Sequence, residues 1–128
     1  MRGASALKDF LKQIGDPRIL VLIVWEPVIW SDEGPPTSSV QALAVEKRSM
    51  QFWDEKRALS ELLVQESIYV PSLLDPGASV APGVVVWDLV VVFPPGAAWR
   101  SHARPSYFGG PVIHVMDEVR SALGAPAP

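Results

Sequence analysis

The chain has 128 residues, 48% of them hydrophobic, and no cysteine. That is one domain's length, with apolar material for one core. Eleven Lys and Arg against fourteen Asp and Glu give a net charge of −3, so no basic footprint points to nucleic acid or anionic lipid. The absence of cysteine excludes disulfides, thiolate zinc sites, cysteine-ligated clusters and thiol nucleophiles. The longest apolar runs, of about seven residues, fall short of the roughly 20 that a membrane helix needs. The segment MRGASALKDFLKQ is amphipathic and lacks the apolar stretch of a secretory signal, so a cytoplasmic location is expected. Residues 1–128 read as a single domain, with 125–128 as a frayed tail.

In chain order, Leu7, Phe10, Leu11 and Ile14 follow helical spacing and predict a helix over 4–14. Gly15 stands where a left-handed residue ends such a helix. Ile19 to Trp25 is apolar without alternation, which predicts an inner strand covered on both faces. Residues 26–37, EPVIWSDEGPPT, form a proline-rich loop. Ser38 or Ser39 is placed to cap a short helix carrying Val40, Leu43 and Ala44, with Lys47 and Arg48 at its C-terminal end. Ser49 to Trp53 alternates and predicts a strand. Asp54 then caps a helix with Ala58, Leu59, Leu62 and Leu63 inward.

Residues 67–83, with Pro71, Pro76 and Pro82, predict a long irregular connection. Val84 to Phe93 predicts a second buried strand, interrupted only by Asp88. Pro94-Pro95-Gly96 predicts a turn, and Ala98 to His102 a short edge strand. Gly109-Gly110-Pro111 opens a last helix in this reading, with Val112, Val115, Met116, Val119 and Leu123 inward. His114, Asp117, Glu118 and Arg120 fall on the opposite face. Gly124 ends the helix.

This order resembles the thioredoxin-like fold. Ile19 to Trp25 looks like that family's central strand, and Trp30-Ser31-Asp32-Glu33-Gly34 stands where a thioredoxin carries Trp and its two-cysteine motif. Val90 to Gly96 resembles the strand and turn into the family's hairpin, and Gly109-Gly110 the glycine before its last helix. The resemblance covers about residues 5–123 and implies a three-layer α/β/α domain with a central mixed sheet of about four strands. Ile19–Trp25 and Val84–Phe93 would be its adjacent, antiparallel inner strands. Both cysteine positions are empty, so dithiol exchange does not carry over. The family's cis-proline would fall near Asp88 and is missing there. The geometry implied by the resemblance brings Trp25, Glu26, Trp30 and Asp32 toward Trp87 and Asp88.

These six residues form the candidate ligand-binding set. Indoles in a cleft offer large apolar contact and one donor each, although strand tryptophans also serve as plain core packing. Glu26, Asp32, Glu33 and Asp88 could share a site for acid–base work or a hard cation, or stand apart as solvated charges. His102 and His114 lack metal-ligand spacing. The glycine pair before the last helix suits an anion or simply a tight turn. The serines Ser31, Ser38 and Ser39 lack a nucleophile elbow.

No cofactor, metal or catalytic residue is assigned. The favoured expectation is a non-redox module that binds a peptide, protein or small ligand. The alternatives are a carboxylate- or metal-dependent enzyme, and a structural homo-oligomer, such as a homodimer, that buries exposed Trp and an edge strand near Trp99 against a second copy.

Overall fold

The computed structural model describes residues 2–66, 85–98 and 104–125. The predicted connection over 67–83, the start of the second apolar strand at Val84, and Trp99 to His102 of the return strand lie outside the described residues. So does the end of the predicted tail, 126–128. The architecture is mixed α/β. Helix α1 spans Arg2–Gln13, strand β1 Val21–Trp25, helix α2 Ser38–Gln41 and strand β2 Ser49–Trp53. Helix α3 follows at Ala58–Gln65, then β3 at Val90–Val92, β4 at Tyr107–Gly109 and helix α4 at Met116–Ala122. A single 3-10 turn, Ala42–Ala44, extends α2, and another, Val112–His114, precedes α4.

The apolar stripe of α1 organises the core. Phe10, Leu11 and Ile14 are buried together with Val92, Val115 and Val119, and Ile19, Val21, Val90 and Tyr107 pack around them. Each such side chain removed from water contributes about 1.5–3 kcal/mol. One helix therefore bridges both strand pairs.

The end of α1 is not built as expected. Gly15 does not adopt a positive φ. Instead the Arg48 guanidinium reaches back from the start of β2 and donates to the carbonyls of Leu11, Ile14 and Asp16. Its Nε binds the Glu46 carboxylate, 3.1 Å away. A cation does close a helix C-terminus, but the helix is α1 and not the short α2.

Strands β1 and β2 pair in parallel, Val21 opposite Ser49 through Trp25 opposite Trp53. Ile19 and Val21 face the α1 core. By strand alternation the even-numbered residues face the other way. There, Leu20 is 64% exposed, Leu22 58%, Met50 52% and Phe52 45%. Among the described residues, the first apolar run is thus covered on one face, not two. A continuous apolar run does not by itself say whether a second layer is present.

The second apolar run is shorter than predicted. Asp88 takes φ 55, a left-handed conformation that Asp tolerates but an extended ladder does not. Among its described residues Val90–Val92 forms strand, antiparallel to Tyr107–Gly109. Among the described residues the strands form two two-stranded sheets, β1–β2 and β3–β4. The expected pairing of the two apolar runs, which would merge them into a four-stranded central sheet, is not among their hydrogen-bonded pairs.

The turn at Pro94 is as predicted, with Ala97 N–H on the Pro94 carbonyl and Gly96 at φ 77. Gly109 ends β4 and does not open a helix. A side chain there would collide with the Tyr107 ring, and one at Gly110 would meet the Asp88 carbonyl. The Gly110–Pro111 peptide is cis. Helix α4 starts later, at Met116, with Val115 and Val119 inward as expected. Arg120 is the exception on its predicted solvent face. It is buried, bonds Gln13 Oε1 at 2.7 Å and lies over the Phe10 ring. Gly124 ends α4 at φ 65, and Ala125 packs on the core where a frayed tail is expected to begin.

Candidate functional site

Strand β1 delivers Trp25 and Glu26 at its C-terminal end. Trp25 is partly buried, and its indole N–H donates to Gln51 Oε1 at 2.9 Å. Gln51 in turn donates to the Gln41 carbonyl at 3.0 Å. The Trp25 donor is therefore committed to holding α2 against the sheet.

Glu26 is held in a polar relay. Its carboxylate accepts the Ser60 backbone N–H at 3.1 Å and the Ser60 hydroxyl. The Ser60 oxygen accepts the Val86 N–H at 2.8 Å. Ser60 is wholly buried in the first turn of α3, so one serine links the end of β1, the start of α3 and the segment leading to Trp87. Burial pushes the Glu26 carboxyl above its usual value, the Ser60 bonds oppose this, and the Asp54 charge adds to it while Arg57 opposes.

Trp30 stands 95% exposed, next to the exposed Ile29. Asp32 shapes this tip. Its Oδ2 accepts the Val28 N–H at 2.8 Å and the Ile29 N–H at 3.0 Å, and its own N–H returns to the Ile29 carbonyl. These two amides favour the ionised form and hold the carboxyl below its usual range. Pro27, Pro35 and Pro36 flank the tip and narrow its unfolded ensemble.

Trp87 is 69% exposed, and Asp88 is exposed with its Oδ1 against Gly3. The six predicted residues thus divide. Glu26 is joined through Ser60 to Val86, the neighbour of Trp87. No hydrogen bond or ion pair among the described residues brings Asp32 or Asp88 to Glu26. Asp32 acts as a loop staple and Trp25 as a packing donor. Among the described residues no three His, Asp or Glu side chains gather as a metal site. His114 is exposed on the turn before α4, and His102 lies outside the described residues. The glycine pair Gly109-Gly110 serves close packing, as its crowded surroundings show.

Ser60 is the residue that sequence reasoning missed, and Arg48 is the one it placed at the wrong helix end. Ser60 lies three residues before Leu63, on the inward stripe of α3, where a lone hydroxyl signals a buried partner. Arg48 carries no comparable local signal, because its partners are up to 37 residues away. No protein-family model matches the chain, and no curated protein or solved structure matches it either.

Proposed function

We propose that this chain is a non-redox binding module that engages a peptide, protein or small ligand through the loop after β1, with Trp30 as its anchor. The carrying observation is an indole 95% exposed on a tip stapled by Asp32. A solvated Trp held in place loses little conformational freedom on binding and offers the contact area of a typical hot spot. Trp87, also exposed, is tied to the same strand end through Ser60 and Glu26 and would flank the ligand.

A thioredoxin-like frame is part of this reading. It is supported by the succession of a parallel pair β1–β2, an antiparallel pair β3–β4 and a closing helix α4. The chain has no cysteine with which to perform that family's dithiol chemistry. A cytoplasmic location goes with the reading.

The test is to pan a random peptide display library against the intact chain and against Trp30→Ser. Enrichment on the wild type that fails on Trp30→Ser, at unchanged folding stability, supports the module. Equal enrichment on both, or none on either, retires it. In an insulin-reduction assay with dithiothreitol the chain should give only the background rate.

A further inference from the structure

We propose that Ser60 is a positioning residue, one that fixes the direction of the Trp87 indole through Val86 and so gives the ligand site a second rigid aromatic contact. This rests on the reading above, in which Trp30 anchors a ligand that Trp87 flanks. Ser60 is wholly buried, so it touches no ligand and acts only through its neighbours. An amide N–H can only donate, so the Ser60 oxygen must accept from Val86, 2.8 Å away. Its one proton then goes to Glu26, whose carboxylate also takes the Ser60 backbone N–H at 3.1 Å. Among the described residues, Val86 and Trp87 make no other hydrogen bond.

Trp87 thus stands between two pegs. On one side Ser60 holds the Val86 N–H. On the other, Asp88 sits at φ 55 with its Oδ1 against Gly3 and its carbonyl against Gly110. The indole itself is 69% exposed, so its own packing fixes little of its direction and the backbone on either side must do so. A hydroxyl on the inward stripe of α3 is costly to bury unless its proton and its oxygen are both used, and here both are. Loss of the Val86 peg frees the peptide that precedes Trp87 and leaves only the hold on Asp88. The indole then samples more directions, and a ligand binds against the entropy of ordering it.

Full chain grown with 5-fluorotryptophan gives one fluorine resonance for each of its five tryptophans. Trp87→Ala assigns the Trp87 line and Trp30→Ser the Trp30 line. In Ser60→Ala the Trp87 line should narrow and move toward the position of the free amino acid, while the Trp30 line stays in place. Val86→Pro deletes the donor and keeps Ser60; it should do the same, and it carries the test if Ser60→Ala fails to fold. A peptide enriched by panning on the wild type should bind Ser60→Ala about three- to tenfold more weakly. In the Trp87→Ala background the same change should have no effect, because the two residues act as one unit. An unmoved Trp87 line, a shift of all five lines alike, or an equal loss of affinity with and without Trp87 overturns the proposal. If no peptide binds the wild type, the binding module fails by itself, and the fluorine lines still decide whether Ser60 holds Trp87.

Discussion

Replacing Arg48 by Met keeps most of the aliphatic stem and removes the guanidinium. Three carbonyls in the last turn of α1 and the segment just after it, those of Leu11, Ile14 and Asp16, then lose their donor. The Glu46 carboxylate loses its Nε partner but keeps the Arg48 backbone N–H at 2.7 Å. A hydrogen bond to a charged group is worth about 1.5–3 kcal/mol net, and three bonds from one partly solvated group do not add fully. The expected cost is about 2–4 kcal/mol. Urea denaturation followed by circular dichroism should show the midpoint falling by about 1–2 M at unchanged slope. Arg48→Lys should recover less than half of the loss, because one ammonium cannot span three carbonyls as a planar fork does. A cost below about 0.5 kcal/mol for Arg48→Met would refute the capping role. Full rescue by Lys would show that charge alone, not the fork, closes the helix.

Gly110→Ala should cost about 1–3 kcal/mol, since its Cβ meets the Asp88 backbone carbonyl and the chain must shift to admit it; thermal melts would show this. Trp30→Ser should leave the denaturation midpoint within about 0.5 kcal/mol of wild type, because the side chain is already in water; a loss of about 3–5 kcal/mol would mean that it is core. Glu26 and Asp16 give opposite pH dependences. Glu26 is raised on folding, so its contribution is full below about 4.5 and declines as pH rises through its folded value. Glu26→Gln should therefore gain on the wild type over that window in stability-versus-pH profiles. The Arg18 side chain and backbone draw the Asp16 carboxyl down to about 2, so its contribution is present above 3.8 and fades toward pH 2. Asp16→Asn should flatten that acid limb.

Much of the local structure is legible from residue spacing. The stripe Leu7, Phe10, Leu11, Ile14 marks α1, and the alternation of Ser49 to Trp53 marks β2 at the observed bounds. Gly96 and Gly124 sit where their conformational freedom is used. The rest depends on partners far along the chain. The run Ile19 to Trp25 reads the same with one covering layer or two. Asp88 looks like a tolerated polar residue within a strand, and nothing adjacent announces the left-handed break that ends it. The Gly109-Gly110 pair reads as a helix start until Tyr107 and Asp88 are seen against it. Arg120 is buried because Phe10 and Gln13 receive it, a tertiary circumstance that helical periodicity does not carry. At the candidate site, the exposure of Trp30 follows from its proline-rich loop. The conversion of Asp32 into a staple and of Glu26 into a partner of Ser60 requires the backbone in place.

The Arg48 contact also bears on the order in which the chain assembles. The carbonyls of Leu11 in the last turn of α1 and of Ile14 and Asp16 just beyond it are answered by a residue 32 to 37 positions further along. Without that residue α1 holds an apolar stripe with a frayed end, and a short helix alone in water is marginal. Its last turn becomes secure only when β2 has arrived beside β1, since the guanidinium that closes α1 sits immediately before that strand. Helix, loop and parallel pair thus depend on one another, and the closed end of α1 is a product of tertiary assembly rather than of local sequence.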